Sequence, residues 1–223
     1  MVSNGKKRTR SEWSQEVLDE RIRTEWRKAV TIPVDIQIEA EHRVLNFDKV
    51  KNYLVNADRI TLVDCGCRLQ RGNCDSPLNT CIGLNEIADV YLTSEKYQAR
   101  NPRSVTVSKA LKTLEETYEA GLIHMGYGFG SEQINGLCSC CTCCCIFLTG
   151  TLRYGLHKHL LSSDTITETV SANCTSCGLC VDRCHFGARS LVKDSLIFDV
   201  DSCYGCGLCI GVCPENAISL KKK

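Results

Sequence analysis

Residues 174–184 read Cys-Thr-Ser-Cys-Gly-Leu-Cys-Val-Asp-Arg-Cys, and residues 203–213 read Cys-Tyr-Gly-Cys-Gly-Leu-Cys-Ile-Gly-Val-Cys. Both are C-x2-C-x2-C-x3-C, and the second copy stands 29 residues after the first. The match extends past the thiols. At that same offset Gly178 pairs with Gly207, Leu179 with Leu208, Ala188 with Ala217, Ser190 with Ser219 and Leu191 with Leu220. An internal duplication of this kind makes each copy one structural unit and the pair one domain.

Three thiols two residues apart sit on a loop that curls round one corner of an iron–sulfur cube. The fourth is carried away by the start of a helix. The double motif resembles the bacterial-type two-[4Fe-4S] ferredoxins, in which that fourth cysteine ligates the other cluster. The resemblance implies one ligand set of Cys174, Cys177, Cys180 and Cys213, and a second of Cys203, Cys206, Cys209 and Cys184. Gly178 and Gly207 would let the backbone approach the cluster sulfides. The copies differ just after the fourth thiol: Pro214 follows Cys213, whereas His185 follows Cys184, which bears on the packing and hydrogen bonding around the cluster that Cys184 serves. Zinc sites also use C-x2-C pairs, but two matched sets of four favour clusters.

The chain of 223 residues, 43% hydrophobic, is long enough for a core domain beside this module. The net charge of +1 gives no electrostatic footprint for nucleic acid, and no apolar run approaches the roughly 20 residues of a membrane span. Lys6, Lys7, Arg8 and Arg10 have no apolar segment behind them and read as a solvated basic stretch, not a secretory signal. With 18 cysteines in cluster-like spacing, the expected setting is a reducing cytoplasm, such as that of an anaerobe.

The expected fold class is α+β: residues 1–45 as an N-terminal helix and extended arm, 46–165 as a cysteine-rich α+β domain, and 166–223 as the ferredoxin-like module. Trp13, Val17, Leu18, Ile22 and Trp26 recur at helical spacing between Ser11 and Arg27. Val30 to Ala40 alternates as an edge strand or extended arm, with Pro33 inside it. A short helix is expected from Asp48 with Val50, Tyr53 and Leu54 inward, and a buried strand from Arg59 to Val63. A helix capped by Ser108 carries Leu111, Leu114 and Tyr118 and ends at Gly121, with a strand from Leu122 to Met125 after it. A glycine-rich loop from Gly126 to Gly130 is expected to lead to the second cysteine group. Ile146 to Leu161 reads as one helix on Leu148, Leu152, Leu156 and Leu160, with the last thiols before it at its N-terminus. His157 and His159 read as surface or packing residues. Strand, helix and hairpin in this order also allow a winged-helix unit, though Glu115, Glu116 and Glu119 beside Lys109 and Lys112 suit phosphate poorly.

Ten cysteines precede the duplicated module, and they are the candidate metal ligands of the first domain. Cys65, Cys67, Cys74 and Cys81 form one group; Cys138, Cys140, Cys141, Cys143, Cys144 and Cys145 place six thiols in eight residues. Ten thiols suffice for two four-ligand clusters with two left over, or for one cluster beside a zinc or dithiol set. Neighbouring side chains point in different directions, so the adjacent thiols do not all face one cube. One or two further iron–sulfur clusters are expected, with ligands from both groups and Cys67, Cys74 and Cys81 as the first choice.

The elements Cys65-Gly66-Cys67-Arg68, Cys74-Asp75-Ser76-Pro77 and Cys81, then Glu119 to His124, then Asn135 to Cys145, resemble a group of little-characterised 4Fe-4S binding proteins of anaerobes. With the duplicated module the resemblance spans roughly residues 60 to 223 and implies iron–sulfur content and redox work. The leading expectation is an electron-transfer protein or subunit relaying single low-potential electrons to or from a partner oxidoreductase. A reductase with an unusual thiol or iron–sulfur catalytic centre in the first domain is the alternative, and a redox-sensing regulator the third. No catalytic residue, nucleic-acid partner or membrane insertion is expected.

Overall fold

The computed structural model describes residues 14, 16, 20, 42–128, 134–157 and 160–223. Apart from Ser14, Glu16 and Glu20, the expected helix from Ser11 to Arg27 lies outside these residues, as do the arm from Val30 to Ala40, Phe129 and Gly130 of the glycine-rich stretch, and His159.

The cysteine-rich region is built on a six-stranded antiparallel sheet with strands β1 (His42–Val44), β2 (Ile60–Asp64), β3 (Asn79–Leu84), β4 (Arg103–Ser104), β5 (Ile123–Tyr127) and β6 (Gly136–Cys140). Their spatial order is β1-β5-β6-β3-β2-β4. Every residue of β2 is buried, as its apolar run requires of a strand covered on both faces. The register sets Leu62 against Ile82 and Ile82 against Leu137. Because side chains alternate along a strand, these residues share one face. That face packs against Val50 and Leu54 of helix α1 (Phe47–Val55) and Ala110 and Leu114 of helix α5 (Val107–Glu119). Each such side chain contributes roughly 1.5–3 kcal/mol by leaving water. The opposite face carries Val63, Cys81, Cys138, Cys140, Ile123 and Met125. One sheet thus keeps an aliphatic side and a thiol side.

The thiol side is covered by helices α2 (Gly66–Arg71), α3 (Glu86–Thr93), α4 (Glu95–Gln98) and α6 (Ile146–Tyr154). Gly83 and Gly136 are opposite one another in the register. A Cβ on Gly136 would stand 2.4 Å from the Tyr127 ring, and one on Gly83 would stand 2.8 Å from Tyr91. Their absence lets the two tyrosines lie on the sheet with their hydroxyls 2.9 Å apart.

Two helix ends differ from expectation. Helix α5 is capped by Thr106, whose Oγ1 accepts from the Lys109 amide at 3.3 Å, and Ser108 lies inside the helix. Thr106 is the last residue with extended backbone, which is what an N-cap needs. Helix α6 stops at Tyr154, far short of Leu161, because Gly155 turns left-handed at φ +66° and its amide closes on the Gly150 carbonyl. Of the four leucines spaced by four, Leu148 is fully buried while Leu152 is exposed.

The C-terminal module consists of β7 (Thr165–Thr169) paired antiparallel with β10 (Ile218–Lys222), a hairpin of β8 (Arg189–Val192) and β9 (Ser195–Phe198), and the one-turn helix α7 (Leu179–Asp182). The duplication is written in the backbone. Positive φ recurs at the repeat offset, at Ser176 and Gly205, Gly178 and Gly207, and Gly187 and Asn216.

The end of α5 holds the module to the sheet. Tyr118 Oη donates to the Gly207 carbonyl and accepts from the Gly211 amide, each at 3.1 Å. Arg183 donates to the Tyr118 and Glu119 carbonyls at 2.6 and 2.8 Å, a cation placed at the negative end of the helix. His185 Nε2 donates to the Gly121 carbonyl at 2.9 Å. The residue that departs from proline in the first repeat therefore serves the contact between the two regions.

Candidate metal centres

The module contains two small cavities. One is lined by Cys174, Cys177, Cys180 and Cys213, with Leu196, Pro214 and Ile218 around them. The other is lined by Cys203, Cys206, Cys209 and Cys184, with Phe186 and Phe198. These are the two groupings in which each fourth cysteine crosses to the other loop. The donor set suits a cubane: four thiols to an apolar cavity, left-handed glycines at the loop turns, and hydrogen-bond donors aimed at sulfur. The Ala217 amide donates to Cys213 Sγ at 3.3 Å, and Thr167 Oγ1 lies 3.7 Å from Cys203 Sγ.

Between the cavities lies Arg189, 3% exposed. Its guanidinium donates to Thr169 and Thr167 at 2.8 and 2.9 Å and stacks on Phe198 at 4.7 Å. Burial pushes the Cys180 and Cys209 thiols up, and the Arg189 charge opposes it at both. Burial also pushes Cys206 up, to about 12. These shifts favour protonated thiols unless a metal takes the proton's place.

In the cysteine-rich region the ten thiols fall into two sets, each drawn from both sequence groups. Cys74, Cys141, Cys143 and Cys144 all have Sγ atoms within 4.8 Å of one another. Cys74 and Cys141 are 3.6 Å apart, and Cys143 and Cys144 are 3.8 Å apart. The turn before α6 carries three of them, and Asn73 pins that turn by donating to the Cys143 carbonyl at 2.9 Å. Burial acts to raise the Cys74 thiol, but hydrogen bonds from Ser76, Cys143 and Cys141 outweigh it and bring it down to about 7. Burial pushes Cys144 up to about 12. Four convergent sulfurs of this kind could hold a metal ion or a further cluster.

The other six thiols close a cycle. Cys65, Cys67, Cys81 and Cys138 pack together, as do Cys138, Cys140 and Cys145, and each sulfur influences the titration of two others in turn. Sheet register explains half of it: Cys138 and Cys140 are two apart on β6 and so share a face, and Cys81 of β3 lies across from Cys138 with sulfurs 4.0 Å apart. Cys65 and Cys145 are the N-cap residues of α2 and α6, and Cys67 stands in the first turn of α2. Hydrogen bonds from their neighbours hold Cys65, Cys138 and Cys145 low, and the same bonds push Cys67, Cys81 and Cys140 up. Of the expected trio, Cys74 lies in the four-thiol set and Cys81 in the cycle, while Cys67 packs beside both, against Cys141 and Cys144 as well as with Cys65 and Cys81.

Arg68 lies between the two sets and is fully buried. Its Nη1 donates to the Ser139 carbonyl at 2.8 Å and reaches Cys141 Sγ at 4.0 Å; its Nη2 donates to Thr80 Oγ1. Burial disfavours its charge, and Cys65, Cys140, Cys81 and Cys141 restore it. Nε is buried with no hydrogen-bond partner among the described residues. On the far side of the cycle, Arg100 donates from Nε to the Asp64 carbonyl at 2.8 Å and is held charged by Cys81 and Cys138 against the effect of burial. Sequence reasoning quoted Arg68 only as part of a motif and passed over Arg100, Tyr91 and Tyr127, which no spacing marks.

The cycle and the module share one hydrophobic cluster. Its buried part includes Cys140, Cys145, Leu148 and Leu208, and the residues packed against it include Cys138, Cys206, Phe186 and Tyr204. Phe186 and Tyr204 stack at 4.3 Å, and the Tyr204 hydroxyl shares a hydrogen bond of 3.1 Å with His157 Nδ1.

Comparison with known families finds a 4Fe-4S dicluster domain at residues 173–218. No curated protein matches the chain. The C-terminal part is therefore a 4Fe-4S dicluster domain in a cysteine-rich α+β chain; such a domain implies two [4Fe-4S] clusters and suggests an electron-transfer role. No helix among the described residues is long and apolar enough to cross a membrane.

Proposed function

We propose that the chain is an electron-transfer protein or subunit that relays single electrons between its dicluster domain, an iron–sulfur centre held by its N-terminal thiols, and a partner oxidoreductase. The observation that carries this reading is the cluster of side chains in which Cys140 and Cys145 of the first region pack with Leu208, Cys206 and Tyr204 of the second. Cys174, Cys177, Cys180 and Cys213 would hold one [4Fe-4S] cluster and Cys203, Cys206, Cys209 and Cys184 the other. When bound, each cluster takes up and gives back one electron.

The chain's own residues supply the conditions for that exchange. Leu196, Ile218, Phe186 and Phe198 keep water from the cavities, which limits reorganisation. Arg189 places a fixed positive charge between them, favouring the reduced, more negative state of either cluster. Tyr118, Arg183 and His185 keep the two regions in one packing arrangement.

The test is a potentiometric EPR titration of anaerobically purified protein alongside a Cys206→Ser variant. The reading expects reversible one-electron signals from the dicluster domain, and a further signal whose reduction slows in the variant. Clusters that reduce irreversibly, or a further centre whose reduction rate ignores Cys206→Ser, would sink it.

A further inference from the structure

The two N-terminal thiol sets have different shapes, and the dicluster domain provides a standard within the same chain. Four sulfurs round one metal at about 2.3 Å form a tetrahedron with edges of about 3.8 Å. The distances of 3.6 and 3.8 Å in the four-thiol set match those edges. Among the described residues this is the one set of three or more thiols, imidazoles or carboxylates whose ligand atoms all lie within 4.8 Å of one another. The dicluster domain's cysteines, which line two separate cavities in sets of four, include no such group. The six-thiol cycle includes none either: no three of its sulfurs lie within 4.8 Å of one another, so they do not converge on one ion.

Charge and hydrogen bonding point the same way. Six sulfurs with two guanidiniums beside them form a setting for an anionic centre, since a buried cation persists only where opposite charge meets it. Arg68 and Arg100 approach the cycle from different elements, α2 and the segment before β4. Arg68 Nε remains a buried donor without an acceptor among the described residues, and an inorganic sulfide would supply one. A cubane uses four thiolates. No four members of the cycle stand apart from the other two, because Cys138 packs both with Cys65, Cys67 and Cys81 and with Cys140 and Cys145.

We infer that the ten N-terminal thiols divide four and six: Cys74, Cys141, Cys143 and Cys144 bind a single tetrahedral metal ion, and Cys65, Cys67, Cys81, Cys138, Cys140 and Cys145 together bind one polynuclear iron–sulfur centre. This rests on the relay reading only in taking the cycle's metal to be iron. The single-ion site fastens the turn before α6, which delivers Cys145 to the cycle.

The experiment uses the full chain, purified anaerobically, with iron, acid-labile sulfide and zinc counted and Mössbauer spectra recorded on the wild type, Cys143→Ser, and a serine variant at each of the six cycle positions. Expected are iron and sulfide above the about eight of each that the dicluster domain holds, plus one zinc or one sulfide-free iron. Cys143→Ser should lose that one metal with sulfide unchanged, and each cycle variant should alter the spectrum of the same extra centre. Sulfide lost in Cys143→Ser would overturn the single-ion site. A cycle variant with wild-type spectra would remove that thiol from the ligand set and so overturn the six-ligand centre. Should the serine variants not fold, X-ray absorption on the wild type decides the four-thiol site, where four sulfurs at about 2.3 Å are expected from a lone metal. For the cycle the wild-type Mössbauer spectrum then decides, since extra iron that fits a plain cubane contradicts six ligands. About eight irons and no other metal would reject this inference while leaving the dicluster domain's own signals intact. An extra centre that is present but exchanges no electrons with that domain would reject the relay instead.

Discussion

Each region of this protein keeps an arginine buried among thiols, yet the thiols arrive there by opposite routes. In the dicluster domain Arg189 lies between Cys180 and Cys209, and nearly every cysteine of a set comes from one loop of eleven residues or fewer. In the cysteine-rich region Arg68 lies between two sets whose members come from the start of α2, the loop after it, β3, β6 and the turn before α6. The first arrangement is local and repeated; the second depends on strand register. Loops with fixed spacing carry their geometry wherever they are attached, whereas a site assembled across a sheet exists only once the sheet has formed.

The comparison is broken most severely at Arg68. Arg68→Met should remove the cation that both N-terminal sets share, costing about 3–5 kcal/mol as their buried anionic charge loses its partner. Urea unfolding followed with metal counts should show the N-terminal metals lost while the dicluster iron stays. Equal loss from both regions would mean that they do not stand independently.

Acid should separate the regions next. Among the described residues the buried histidines are His42 and His124, both in the cysteine-rich half. Burial lowers them from 6.5 to about 3 and about 4. The folded state therefore stays neutral where the unfolded chain takes up protons, so this stability is complete above about pH 6.5 and declines as pH falls towards 4. His124 alone accounts for about 3 kcal/mol over that window. His124→Gln should flatten the fall in unfolding free energy between pH 7 and 4.5; an unchanged slope would show that His124 is not its source.

Arg189→Met sharpens the other side. Loss of a positive charge between the two cavities should shift cluster potentials negative by on the order of 100 mV, read by redox titration, with N-terminal metal content unchanged. The smallest effect belongs to the joint between regions. Tyr118→Phe removes hydrogen bonds to Gly207 and Gly211 and should cost about 1–2 kcal/mol, seen as faster hydrogen exchange at Gly211 with both metal inventories kept.

Much of the dicluster domain was legible in advance because its signal is spacing. Cys174 to Cys184 and Cys203 to Cys213 specify loop, turn and ligand order within a few residues. Helix α1 and strand β2 were legible for a similar reason, since Val50, Leu54 and the run from Ile60 express periodicity. The end of α6 was not: Leu148 to Leu160 kept a spacing of four, but Gly155 favoured a left-handed cap, and a single backbone preference outweighed the pattern. The separation of Cys74 from Cys81 was equally hidden, because it follows from which strand face each neighbour occupies.

By itself, then, the sequence determined that a duplicated four-cysteine loop would form a two-cluster domain, and it marked ten further thiols as candidates for metal or redox chemistry. Tertiary structure alone decided how those ten divide and that Arg68 stands between the sets. The physical reason is range: ligand spacing in a loop is set by a few backbone angles, whereas the meeting of Cys81 with Cys138, and of both with α2 and α6, is set by long-range pairing and packing that no local pattern encodes.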